Sequence, residues 1–209
     1  MKKLVFFMLV FGLFTTSVVN AQNKALQKAL KKEYKAKMKD YKQKGFEVFG
    51  TSRTLDVALL THYDKRAEEG VTEVFGTTTS TNKNIAKDKL LMSACVTYAQ
   101  KIGSNIKGRI VEDMGSIVSP EELTEFEHFY AAYENNVQAE IKGELRNSYM
   151  VFREVEVAGK KAFEFEAYYI VDEAEASKAR IRAFQNAAKE SAVAQKYAEQ
   201  VSAFINDAQ

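Results

Sequence analysis

The sequence is poor in the residue types that common functional sites use. Its 209 residues include one cysteine, one proline, two histidines and no tryptophan. A single cysteine excludes an intrachain disulfide. Cys95, His62 and His128 lie in different segments, without the close spacing that a structural zinc site needs. We therefore expect no metal ion and no cofactor.

Glycine-rich phosphate-binding loops are missing as well. Gly103 and Gly108 are spaced as in a P-loop, but Arg109 and Ile110 follow where that loop needs a lysine and then a serine or threonine. The order of elements is also reversed, because a predicted helix precedes the glycines. We interpret Gly103 as the C-terminal cap of that helix and residues 105–114 as a strand.

A nucleophilic or acid–base site is the remaining catalytic possibility. Cys95 could pair with His62 or His128 only through the tertiary fold, and its apolar neighbours favour a buried core cysteine. We expect both histidines on helix surfaces. Glu164 and Glu166 share one strand face and could do acid–base work, but alternation with aromatic residues is typical of a solvated face. We predict that the protein is not an enzyme.

The one long hydrophobic run is at the N-terminus. Two lysines precede an apolar run over residues 4–14, and Val19-Asn20-Ala21 places small residues where a signal peptidase cleaves. We expect a cleaved signal peptide over residues 1–21, with an uncleaved anchor as the alternative. Gln22 follows the predicted cleavage point, so the cysteine of a lipoprotein is missing. We expect an exported protein.

Charge is distributed unevenly along the chain. Residues 22–44 hold nine lysines against two acidic residues, a net charge of +7. Apolar residues recur there at helical spacing, which predicts a basic amphipathic helix with the stripe Leu26, Leu30, Tyr34, Met38 and Tyr41. The helix could bind an anionic membrane surface or another polyanion through Lys28, Lys31, Lys32, Lys35 and Lys39. Alternatively, its apolar stripe packs on the protein's own acidic body.

The five letters Glu-Val-Phe-Gly-Thr occur twice, at residues 47–51 and 73–77. Each copy predicts a short strand, and a helix that ends near Gly70 lies between them. The residues around the two copies do not match. We therefore interpret the two copies as the same local sequence used in two separate strands and not as a repeat unit.

Further elements follow from local patterns. Residues 84–102 predict a helix, and Ser119-Pro120 with Glu122 predicts the start of another. Alternating residues 148–157 and 161–171 predict a hairpin. From Asp172 onward neither glycine nor proline interrupts a predicted long helix. Its apolar seam could mediate self-association or bind a partner protein, through Ile181, Phe184, Tyr197, Val201 and Phe204.

Together these elements predict one α+β domain over residues 45–171, with a small, largely antiparallel sheet and helices on one face. The basic helix (residues 22–44) and the long C-terminal helix (residues 172–209) flank it. The order of elements from about residue 45 to 185 resembles the twenty-kilodalton envelope lipoprotein family of Gram-negative bacteria. The matching features are Ala94, Ala99 and Ile102, then Ile106-Lys107-Gly108, residues 120–140, Ile141-Lys142-Gly143 and the hairpin.

The resemblance implies a small α+β domain without established catalytic residues and a role in envelope assemblies. The missing cysteine at position 22 departs from the family and argues against a lipid anchor. We therefore expect a non-enzymatic protein of the periplasm or outer-membrane periphery that acts through protein–protein contacts. The alternative is a peripheral binder of anionic membrane or another polyanion that uses the basic helix. Nucleic acid is not an expected partner, because no groove-reading module is visible.

Overall fold

The structure, a computed structural model, describes residues 24–206. The predicted signal peptide lies outside the described residues. The elements in chain order are α1 (residues 24–44), β1 (Glu47–Val48), α2 (Leu55–Arg66), β2 (Val71–Ser80), α3 (Lys83–Arg109), a π-helical turn (Ile110–Met114), α4 (Pro120–Ile141), β3 (Arg146–Val157), β4 (Lys160–Asp172), α5 (Glu173–Ala188), α6 (Ala192–Lys196) and α7 (Ala198–Asn206). In this range, no helix combines the length and hydrophobicity of a membrane-spanning segment.

Four antiparallel strands form one sheet in the order β1-β3-β4-β2. The predicted hairpin is confirmed: β3 and β4 pair along their length, and Ala158 and Gly159 both have positive φ angles at the turn. Such angles are those of the tight turn that matches the twist of two adjacent strands. The predicted α+β class and antiparallel sheet are confirmed.

Helices cover both faces of the sheet, whereas the sequence predicted them on one face. Phe165, Ala167 and Tyr169 of β4 point into the larger core, which α3, α4, α5 and α7 complete. Tyr149 and Val151 of β3 point to the opposite face and contact α1 and α2 in a smaller core. Because successive side chains of a strand point to opposite faces, both faces of the sheet carry buried apolar residues. The result is three layers: α1 and α2, the sheet, and the larger helical layer.

The predicted strand over residues 105–114 is wrong, because α3 continues to Arg109 and the π-helical turn follows it. Gly103 therefore lies inside a helix and is not a cap. A Cβ atom at this position would lie 2.2 Å from a carboxylate oxygen of Glu134, so the glycine permits close contact with α4. The residues that keep the segment helical recur every four positions and are all buried: Ile102, Ile106, Ile110 and Met114.

The predicted long C-terminal helix is interrupted. Helix α5 ends at Ala188, and the chain turns before α6 and α7, which pack back against α5 and the larger core. The Ser191 hydroxyl caps α6 by accepting a hydrogen bond from the Ala194 amide. The amide of Val193 donates to the Glu125 carboxylate of α4. The first contact is a local cap, but the second comes from the tertiary fold, so neither glycine nor proline was needed to end α5.

Candidate functional site

Helix α1 is docked on the sheet by the C-terminal half of its apolar stripe. Tyr41 is fully buried and Met38 nearly so. The Tyr41 ring lies 5.0 Å from that of Phe46 and 6.4 Å from that of Tyr149, between ring centroids. Its hydroxyl donates a 2.6 Å hydrogen bond to the carboxylate of Glu166 on β4. The aromatic face of α1 therefore belongs to the protein's own core.

Polar contacts fix the rotation of α1 about its axis. Lys37 Nζ lies 3.3 Å from Glu166 Oε2 and 4.5 Å from the centroid of the Tyr41 ring. On the α2 side, Glu33 accepts a 2.8 Å hydrogen bond from Arg66 Nη1. The Tyr34 hydroxyl donates to Asp56. Contacts on both sides of the stripe hold one face of α1 inward and turn the opposite face to solvent.

That opposite face carries the predicted anion-binding residues, which we call the outward lysines: Lys28, Lys31, Lys32, Lys35 and Lys39. All five side chains are exposed. None forms an ion pair or a side-chain hydrogen bond with another residue of the described range. The two sequence alternatives are thus compatible, since the stripe packs on the body while the lysines stay available.

A buried histidine lies beneath α2, where the sequence predicted a helix-surface residue. The His62 side chain is only 2% exposed. Its Nε2 lies 2.5 Å from Glu73 Oε2 of β2, and its Nδ1 lies 3.0 Å from Ser148 Oγ of β3. Three aromatic rings surround the imidazole at centroid distances of 5.0 to 5.4 Å: Tyr63, Tyr149 and Tyr168.

This cluster connects its residues in the order of a serine–histidine–glutamate triad, but its buried position indicates a structural role. Both ring nitrogens are engaged, and the ring is enclosed by tyrosines, so a substrate has no approach to the imidazole. The cluster joins α2 to two strands. Burial alone would raise the pKa of Glu73, but the hydrogen bond from His62 and the charge of nearby Arg66 outweigh it, and the pKa is lowered.

The other candidate catalytic residues either lie far from a possible partner or already form ion pairs. Cys95 is buried in the larger core, on the opposite face of the sheet from His62, and burial raises the pKa of its thiol to about 11. His128 is exposed on α4, as expected. Glu164 pairs with Arg153, and Glu166 with α1. Among the described residues, no group of three acidic, histidine or cysteine side chains is arranged to hold a metal ion.

The predicted partner-binding seam lies largely inside the molecule. Val201 and Phe204 are buried in the larger core, and Phe184 and Tyr197 pack against it. Their rings lie 6.1 Å from Phe129 and 6.0 Å from Phe126, respectively. Ile181 is half-buried on α5. The turn after α5 folds this seam inward, so a partner would have to displace α7 to reach it.

Comparison of the chain with family models, curated proteins and solved structures finds no match in any of the three. The resemblance to the envelope lipoprotein family therefore stays a prediction.

Proposed function

We propose that this protein is a non-enzymatic, peripheral binder of anionic membrane surfaces that uses the outward lysines of α1. One observation carries the proposal: a single helix is fixed to the body through its aromatic face while five lysines on its other face remain exposed and unpaired among the described residues. An amphipathic helix rich in lysine is typical of binding to the membrane interface.

The charges are sufficient for such binding. Each lysine close to an anionic membrane contributes about 1 kcal/mol, so five acting together would contribute about 5 kcal/mol to the free energy of binding. Because α1 is already folded and docked, its lysines need no ordering of the backbone when they bind. The attraction is also sensitive to salt, since the Debye length falls to about 3 Å at 1 M ionic strength.

The proposal keeps the expectation of export to the periplasm or outer-membrane periphery, which the signal-like N-terminus supports. It replaces protein–protein contacts through the C-terminal seam as the leading function, because Val201 and Phe204 fill the protein's own core. Those contacts would need a surface other than the seam.

We expect the variant with Lys28, Lys31, Lys32 and Lys35 all changed to glutamine to lose binding to vesicles that contain phosphatidylglycerol. Removing four contributions of about 1 kcal/mol each weakens binding by up to about 10³-fold. Co-sedimentation with vesicles of graded phosphatidylglycerol content measures this change, and wild-type binding should fall steeply between about 0.05 and 1 M salt.

The matched control removes the same charge elsewhere, by changing Lys87, Lys89, Lys101 and Lys160 to glutamine, all of which are exposed. It should bind nearly as the wild type does. Equal losses in the two variants would mean that only net charge matters and would contradict the proposal. Point substitutions are preferable to deleting α1, because the deletion would also remove Tyr41 and expose the smaller core that it covers.

A further inference from the structure

A groove of about 370 Å³ runs between the N-terminal half of α1 and the outer side of α2. We call it the α1–α2 groove. Leu30 and Tyr34 line it from α1, and Leu60 and Tyr63 line it from α2. The rings of Tyr34 and Tyr63 meet edge to face at 6.2 Å between centroids. The walls are therefore mainly apolar.

The apolar stripe of α1 extends beyond the body that it packs on. Its residues become more exposed toward the N-terminus: Tyr41 is 0% exposed and Met38 8%, Leu30 is intermediate, and Leu26 is 47% exposed. Helix α2 contributes Leu60, which is 51% exposed, and Val57, which is 47% exposed. Single exposed apolar residues are ordinary, but Leu30 and Leu60 line the same groove, and such a grouping is typical of a ligand or membrane contact.

Charge beside the groove identifies the kind of occupant. Lys31 lines the α1 wall, and it also lies on the adjoining outward face of α1 with Lys28 and Lys35, which do not line the groove themselves. Asp64 lines the α2 wall and repels an anion there. The groove thus offers an apolar channel with one cation on its wall and further cations on the adjoining face of α1, which suits a molecule that has an anionic head and an apolar tail.

We propose that the α1–α2 groove takes an acyl chain of an anionic phospholipid in the bound membrane, while Lys28, Lys31 and Lys35 hold its phosphate. This inference rests on the proposed function, since the lysines must first bring α1 to the surface. It adds a second contribution to binding, namely burial of the chain against Leu30 and Leu60, and it assigns to α2 a part in membrane contact.

The absence of tryptophan from the chain allows a direct test. Leu60→Trp places one tryptophan on the wall of the groove. Vesicles of phosphatidylglycerol with brominated acyl chains quench only a tryptophan that contacts those chains. We expect Leu60→Trp to lose most of its emission on these vesicles and to keep it on unbrominated ones. Leu30→Trp, on the α1 wall, serves as a second reporter in case the first substitution disturbs the groove.

Ile117→Trp is the matched control. Ile117 is 61% exposed, and its carbonyl accepts a hydrogen bond from Tyr197, so it lies with the larger helical layer beyond the sheet. It should show no quenching. Equal quenching of control and reporters would overturn the inference in favour of unspecific insertion. If both reporters sediment with the vesicles but are not quenched, the α1–α2 groove does not take an acyl chain, and the proposed function is unaffected. Failure of the wild type to sediment would refute the proposed function, and the groove inference with it.

Discussion

At the scale of single residues, the contact between His62 and Glu73 connects α2 to the edge strand β2. The imidazole is buried, whereas the carboxylate is partly exposed, at 27% of its side chain. Arg66 Nη1 lies 4.0 Å from the same carboxylate oxygen. The charged form of Glu73 is therefore stabilised in the folded protein, and the pKa of Glu73 is lowered from 4.5 despite the opposing effect of burial.

We expect this contact to make the stability of the protein sensitive to acid. A carboxyl group whose folded pKa is lowered contributes stability above its unfolded pKa, near 4.5, and loses that contribution as the pH falls through the folded value. Glu73→Gln should therefore reduce the free energy of unfolding at neutral pH and flatten its decline below about pH 4.5. Urea unfolding between pH 7 and pH 3 measures both effects.

Glu68→Gln is a suitable control, because Glu68 is an exposed glutamate just beyond the C-terminus of α2. Its free energy of unfolding should decline below about pH 4.5 as that of the wild type does. If the free energy of unfolding declines equally for Glu73→Gln and the wild type in this range, His62 does not hold the carboxylate in its charged form.

The sequence carried a partial signal for His62. Leu55, Leu59 and His62 are spaced by four and three, which places the histidine on the same helix face as two leucines. Leu60, the residue after Leu59, is exposed, so the buried face of α2 does not extend to it. The partners of His62 come from two different strands, and no local pattern indicates them. The buried position of Cys95, by contrast, followed from its apolar neighbours alone.

At the scale of elements, the two copies of Glu-Val-Phe-Gly-Thr lie at opposite edges of the sheet, in β1 and β2. Their glycines serve different purposes. Gly50 has a φ of +78°, which favours glycine. Gly76 lies where β2 approaches α3, and a Cβ atom there would be 2.4 Å from the backbone oxygen of Leu90. The two copies are therefore not a structural repeat.

We expect Gly76→Ala to destabilise the protein by about 1 to 3 kcal/mol, because the new methyl group meets backbone atoms that cannot move independently. Gly108→Ala is the control: it lies in α3, and its Cβ would meet no atom within 4 Å. It should stabilise the helix by up to about 1 kcal/mol. Urea unfolding of the two variants compares them directly, and a neutral Gly76→Ala would contradict the close approach of β2 to α3.

Elements with local signals were predicted well, and those that depend on packing were not. The capping box at Ser119 and the turn before β4 are set by residues within a few positions of each other. The end of α3 was missed because Gly108 has low helix propensity, while the burial of Ile106 and Ile110 outweighs it. The turn after α5 was missed because Glu125 of α4 helps to fix it.

At the scale of the whole molecule, α1 is both a structural layer and the proposed binding surface. Residues 22–44 carry a net charge of +7, and residues 45–209 carry −7. An anionic surface therefore attracts α1 and repels the rest, which would orient the molecule with α1 toward the membrane. The sequence indicated this asymmetry, but the side of α1 that faces solvent became known only from its contacts with Glu166 and Arg66.

We expect Tyr41→Ala to destabilise the whole protein, and not α1 alone, by about 3 to 5 kcal/mol, as for other buried aromatic residues. Tyr41→Phe keeps the ring but removes the hydroxyl, which donates to Glu166 and lies 3.4 Å from the Tyr149 hydroxyl; losing the bond to the charged acceptor costs about 1.5 to 3 kcal/mol. Urea unfolding followed by far-ultraviolet and by tyrosine signals should give one coincident transition for each variant. Separate transitions would mean that α1 unfolds independently of the sheet.

The docking of α1 also has a consequence for the order in which the chain acquires its structure. Tyr41 and its acceptor Glu166 are 125 positions apart. A ribosome that adds about 5 to 20 residues per second needs about 6 to 25 s to make the second after the first. Throughout that interval α1 has no sheet to dock on, and most of the stability of a helix in a protein comes from such packing. Helix α1, which is made before every strand of the sheet, therefore completes its packing only after β4 has been made.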